Sequence, residues 1–218
     1  MFKVIGHQQV LQFMMGPLLG CADATFHAYL IDGLLIDTGP ARFGRRMIAA
    51  CRGQRTEQIV NTSGSACSIG NNALLQREFS LPVRAHRQAL PLIRQPRANL
   101  ELTLRQRLCW GWPKPAKARR INSWIRTPGH GFRVIPVPDG RWGEICLFEE
   151  EEGWLFSGNL LAEGLSARAE SLLGHLNVNR VFCARHGVIT DMNALKEQPR
   201  CLLESPAAPR LNRQHRAG

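Results

Sequence analysis

The chain has 218 residues, 44% of them hydrophobic, enough for one domain with a sizeable core and a short tail. Its net charge of +11 and pI near 10.2 point to anionic partners: nucleic acid, acidic protein surfaces or anionic small molecules. No apolar run approaches the roughly 20 residues of a membrane-spanning helix, and the apolar patch VLQFMMGPLLG lacks the basic leader and cleavage site of a signal peptide.

Seven cysteines lie at 21, 51, 67, 109, 146, 183 and 201 with no Cys-x-x-Cys pair, which excludes a zinc ribbon and a thioredoxin-like motif. Cys109, Cys146 and Cys183 sit in apolar surroundings and are expected to act as small buried residues. This usage suits a reducing compartment, so the expected location is cytoplasmic.

Residues 1–38 read as two or three strands. Phe26 to Leu30 and Leu34 to Asp37 are apolar runs on either side of Asp32-Gly33, a strong hairpin signal. The second run ends on Asp37-Thr38-Gly39. Ala41 to Arg52 has helical spacing, with Met47, Ile48 and Cys51 on one side and arginines on the other. Gln58 to Leu75, QIVNTSGSACSIGNNALL, then reads as a strand, a loop of small polar residues and a helix from about Asn71, a competent N-cap. Such a loop is a usual place for a site in an α/β protein.

A short strand, Pro82 to Ala85, ends beside His86. Between Arg77 and Arg126 twelve Lys or Arg face only Glu78 and Glu101, and Trp110, Trp112 and Trp124 are interleaved. Phosphate contact plus base stacking would suit that mixture, but no recognised nucleic-acid motif accompanies it. Phe132 to Val137, Glu144 to Phe148 and Trp154 to Ser157 read as strands, and Glu149 to Glu152 as an acidic turn with solvated side chains. Ser166 to Leu176 is expected to be helical and Val178 to Cys183 a strand, with His186 just after it. Residues 196–218 are polar and basic and read as a flexible tail.

The loop after the Gln58 strand resembles the metallo-β-lactamase signature Thr-His-x-His-x-Asp-His-x-Gly. Thr62, Ile69 and Gly70 fall into register, but the histidines fall on Ser63, Ser65 and Ser68 and the aspartate on Cys67. The segment VPDGRWGEICLFEEEEGWLFSGNLL resembles the family's Pro-Gly-His…Phe-Ser-Gly-Asp stretch, with Gly140 in the place of the histidine and Asn159 in that of the metal-bridging aspartate. His130, in TPGHG, lies ten positions too early for that role and reads as a chance match. CARHGVITD resembles the final motif and leaves His186 as the one family metal ligand in place. His86 occupies a position where many relatives carry a histidine. Asp37 matches the Asp-x-Gly turn beside the metal loop, as a site residue or as a loop-capping carboxylate.

The resemblance implies an α/β fold over residues 1–195: a metallo-β-lactamase-like αββα sandwich of two packed mixed sheets flanked by helices, with the basic 77–126 segment as a cap over the cleft. Family members use a zinc- or iron-bound hydroxide to attack esters, thioesters, amides or phosphodiesters. Serine hydroxyls and an asparagine amide cannot replace imidazole and carboxylate there, so no metal or other cofactor is expected. Three readings follow. In the first, the former metal cleft, lined by Ser63, Ser65, Ser68, Asp37 and Gly140, binds a small molecule or a partner without chemistry, as a pseudoenzyme. In the second, Cys67 is the nucleophile, His186 its base and Asn159 the orienting group of a metal-free (thio)esterase acting on an anionic substrate. The third is a basic module binding nucleic acid or an acidic protein partner.

Overall fold

The computed structural model of the chain describes residues 1–16, 25–138, 140–162 and 166–191. The tail expected at 196–218, together with Cys21 and Cys201, lies outside the described residues. Strands β1 (Phe2–His7), β2 (Val10–Met15), β3 (Phe26–Ile31), β4 (Gly33–Ile36), β5 (Thr56–Asn61), β6 (Val83–Ala85) and β7 (Ala118–Arg120) form one sheet in sequential order. Its first four strands are an antiparallel meander, and from β4 onward the neighbours run parallel. Strands β8 (Trp124–Arg126), β9 (Gly131–Pro136), β10 (Ile145–Glu149), β11 (Trp154–Gly158), β12 (Arg180–Cys183) and β13 (Gly187–Ile189) form the second sheet, in the order β13-β12-β11-β10-β9-β8. Only the β11–β12 pair is parallel. The crossovers carry α1 (Gly44–Arg52), α2 (Ala66–Ile69) and α3 (Asn72–Phe79), then α4 (Leu90–Arg94), α5 (Pro96–Asn99) and α6 (Leu104–Trp110), and finally α7 (Ala167–Leu173).

Period-two alternation decides which side chains meet between the sheets. In β4, Leu34 and Ile36 face the second sheet, while Leu35 faces the helices with Met47, Cys51 and Leu75. Phe132, Leu147, Phe156 and Phe182 answer from the second sheet. Phe156 and Phe182 stack at 4.6 Å and 12°, and Tyr29 meets both edge-on at 5.7 and 5.4 Å. Edge-to-face and stacked rings add to the stability that burial alone provides. The outer face of the second sheet buries Cys146, Phe148, Leu155, Val181 and Cys183 with Leu161, Ala169 and Leu173. The result is the expected sandwich of two mixed sheets between helices.

Several local expectations change. Residues 1–38 hold four strands, because the turn at Gln8 and the hairpin at Asp32-Gly33 each use left-handed backbone, φ 55°, 44° and 81°. The basic segment is not wholly a cap: Val83 and Ala85, Ala118, and Ile125 are buried, so its ends enter the sheets as β6, β7 and β8. Only the excursion between β6 and β7 stands apart from them. Glu149 is buried rather than solvated; its carboxylate accepts the Glu152 N–H at 2.7 Å and lies 3.8 Å from His130 Nδ1. The helix expected from Ser166 stops at Leu173, its N-cap Ser166 hydroxyl accepting the Ala169 N–H. Cys146 and Cys183 are buried as expected, whereas Cys109 is half-buried and disulfide-bonded. Among the described residues no helix is long and apolar enough to cross a membrane.

Candidate functional site

β5 ends at Asn61, and the chain turns through Thr62-Ser63-Gly64-Ser65 into α2. Three contacts fix this loop. Ile145 N–H donates to Thr62 O at 2.8 Å, tying the two sheets together, and Gly64 N–H donates to Trp142 O at 2.8 Å. Gly70 passes so close to the 39–41 chain that an added Cβ would lie 2.3 Å from Ala41 N and 2.4 Å from Gly39 O. Only glycine fits there.

Asp37 stands at the base of the loop, in the left-handed region (φ 62°) and 3% exposed. Its Oδ1 accepts the Thr62 N–H at 2.8 Å and its Oδ2 the Thr62 hydroxyl at 2.5 Å. Burial raises its pKa to about 7, against hydrogen bonds from Thr62, Asn61 and Ser68 that favour the anion. It therefore caps the loop through Thr62.

Next to it the three serines close a triangle. Ser63 Oγ donates to Ser65 Oγ at 2.9 Å, Ser65 Oγ donates to Ser68 Oγ at 3.1 Å, and the Ser63 and Ser68 oxygens are 3.0 Å apart. Asn159 Nδ2 donates to Ser63 Oγ at 3.3 Å. The hydrogen bonds thus run from Asn159 through Ser63 and Ser65 to Ser68. Asn61 and Asn72 exchange carboxamide hydrogen bonds beneath this row, at 2.7 and 3.2 Å. The sequence points to the serines, Asn159, Asp37 and, as a match to the signature, Thr62, but not to Asn61 and Asn72, which only their burial marks. Asn71 does not cap α3 with its side chain. Its amide is drawn away by the carbonyls of Thr38, Gly39 and Pro40, to which it donates at 2.6, 3.3 and 2.9 Å.

The residues of the expected thiol triad are not joined by hydrogen bonds. Asn159 turns to Ser63, and His186 Nε2 meets the Ala162 carbonyl at 3.2 Å. Cys67 is a half-buried free thiol packed against the helix-side core. Burial pushes its pKa well up and Asp37 acts in the same direction, opposed only by Arg185. Gly140 sits in the loop before β10, where its N–H donates to Val137 O at 3.2 Å and an added Cβ would press on Glu144. His86 is half-buried, its Nδ1 without a partner among the described residues. Burial, then Arg87 and Arg120, lower its pKa. His130 lies by the β10–β11 hairpin against Trp154, at the opposite end of β10 from the Ile145–Thr62 contact, with Gln9 Oε1 2.8 Å from its Nε2.

These donors do not fit a zinc or iron ion. Neutral hydroxyls already bonded to one another replace imidazoles, and a carboxamide replaces the bridging carboxylate. Among the described residues no group of three or more His, Cys, Asp or Glu is placed to hold a metal.

The sequence matches no family model, and no curated protein matches it. The fold, however, is found among solved structures. A metallo-β-lactamase from Pontibacter korlensis superposes with a TM-score of 0.66 at 15% identity, covering 90% of this chain and 96% of that one. A metallo-β-lactamase family protein from Thermus thermophilus gives a TM-score of 0.60 at 20% identity, covering 85% and 77%. The chain has the metallo-β-lactamase fold, with hydroxyls, a glycine and a carboxamide at positions where that family's signature has metal ligands.

Proposed function

We propose that this chain is a metal-independent binding protein whose former metal cleft receives a small anionic molecule without turning it over. The observation that carries this reading is the serine triangle. Ser63, Ser65 and Ser68 satisfy one another, and Asn159 donates to Ser63. A hydroxyl in such a row acts as a polar wall: among the described residues no hydrogen bond joins it to a group that would take its proton, and Asp37 beside it is already engaged by Thr62. The surplus of 28 basic over 17 acidic residues favours an anionic occupant.

The test is elemental analysis of the untagged protein purified without added metal, together with assays against thioesters and carboxylic esters. Substoichiometric metal and no turnover support the reading. One tightly held transition-metal ion per chain would overturn it, as would turnover abolished by Cys67→Ala.

A further inference from the structure

In the excursion between β6 and β7, α4 buries Leu92 and Ile93 and α5 buries Pro96, but α6 buries none of its residues. Its sequence, LRQRLCW, has two sides. At about 100° per residue Leu104 and Leu108 fall side by side, with Arg105 and Arg107 on their two flanks and Gln106, Cys109 and Trp110 opposite. The half-buried side is the one with Gln106, Cys109 and Trp110. The leucines are 72% and 69% exposed, more than any other large hydrophobic side chain among the described residues.

Contacts at both ends hold the helix in this orientation. At its start Thr103 and Gln106 form a capping box: the Thr103 hydroxyl accepts the Gln106 N–H at 3.2 Å, and Gln106 Oε1 accepts the Thr103 N–H at 2.9 Å. At its end Arg42 donates to the Leu108 and Cys109 carbonyls at 2.9 and 3.2 Å. Trp110 meets Phe26 edge-on at 5.5 Å. Turning the leucines inward would break the last two contacts, so the fold keeps an apolar pair in solvent.

Charge narrows what could cover that pair. Residues 86–117 carry seven Lys or Arg against Glu101 alone. None of the seven stands in an ion pair among the described residues. Arg94 and Arg107 donate to the carbonyls of Ala118 and Leu102, at 2.7 and 2.9 Å, which leaves their charge uncompensated. A second copy would bring the same positive segment to a two-fold contact. Residues 192–218, with five Lys or Arg against two Glu, have the wrong sign as well. Nucleic acid matches the charge, but its bases stack on aromatic rings rather than on leucines. An acidic protein would need a carboxylate set opposite each scattered cation. A bilayer with anionic headgroups offers mobile negative charge and hydrocarbon directly beneath it.

We propose that the α6 face, Leu104 and Leu108 flanked by Arg105 and Arg107, docks on an anionic lipid bilayer. The leucines enter the interface, and the cations of the excursion lie over the headgroups. This inference concerns a surface outside the cleft and holds whatever the cleft binds.

The probes are vesicles of phosphatidylcholine alone and of phosphatidylcholine with about one quarter phosphatidylglycerol, mixed with the full chain and read by co-sedimentation. The expected result is binding to the anionic vesicles, little to the neutral ones, and release as salt rises. Replacing both leucines, Leu104→Ser with Leu108→Ser, should weaken binding roughly tenfold or more. Both side chains are exposed, so the urea midpoint should stay where it is. Arg105→Gln should weaken binding about fivefold. Arg126→Gln, exposed on β8 in the second sheet, should change it less than about twofold. No binding of the unmodified chain to anionic vesicles overturns the proposal. Binding that ignores the leucine changes, or falls equally with either arginine change, also overturns it, since net charge alone would then account for it. Leucine-dependent binding to poly-glutamate with none to vesicles would overturn it in favour of an acidic protein partner.

Discussion

Asp37 gives the most direct test of how the loop is held. In the unfolded chain its carboxyl has the ordinary value of 3.8, and in the folded chain burial lifts it to about 7. Below the unfolded value both states carry the proton. As pH rises past it the unfolded chain ionises first, which favours unfolding until the folded carboxyl also ionises near 7. A difference of about three units at about 1.4 kcal/mol each makes about 4 kcal/mol, of which about 3 kcal/mol falls between pH 5 and pH 8. Asp37→Asn removes the titration. Asparagine tolerates the left-handed backbone at this position, and its carbonyl can still accept the Thr62 N–H. The new amide donates where Oδ2 accepted, which costs some stability at every pH but adds no pH dependence. Urea unfolding at pH 5, 6, 7 and 8 should show the native chain losing about 3 kcal/mol relative to the asparagine variant. Parallel stability curves for the two proteins would refute the account of a neutral, buried Asp37.

His27 should produce the opposite slope: burial, His186 and Arg185 lower it from 6.5 to about 4, so its contribution is complete above pH 6.5 and falls by about 3 kcal/mol as pH drops to 4. His27→Gln should flatten that acid limb in urea titrations, and an unchanged limb would count against a neutral His27. Gly70→Ala should cost about 3 kcal/mol or prevent folding, because the added methyl meets backbone at Gly39 and Ala41 rather than movable side chains; a loss under about 1 kcal/mol by urea unfolding would contradict the close approach. Cys67 should react with iodoacetamide at pH 8 more slowly than a free cysteine, since burial raises its thiol pKa, and mass-spectrometric mapping of a faster reaction would revive the nucleophile.

What the sequence makes legible is what short-range pattern controls. The Asp32-Gly33 turn makes the expected β3–β4 hairpin, with Ile31 opposite Leu34. The loop from Thr62 to Gly70 follows the family frame because Gly70 meets the 39–41 chain at a distance no side chain tolerates. Glu149 escapes a reading by pattern because four successive glutamates look solvated, and only the hairpin's geometry turns the first one inward to the Glu152 N–H. The ends of the 77–126 segment escape it for a related reason: three-residue strands such as β6 and β7 are too short to show period-two alternation above a background of arginines.

The site shows the same division more sharply. Residue identity at Ser63, Ser65, Ser68 and Asn159 is enough to remove imidazole and carboxylate ligands. It does not say what those hydroxyls do instead. The three serines could have opened toward solvent as donors for a ligand, but their oxygens lie 2.9–3.1 Å from one another. A hydroxyl that donates within such a ring has no proton left to offer outside it. The Gln12 carboxamide, which meets His7 Nε2 and His27 Nδ1 at 2.6 Å each, is likewise invisible to pattern: residues 7, 12 and 27 stand on three strands, and no spacing rule connects them until β1, β2 and β3 pair.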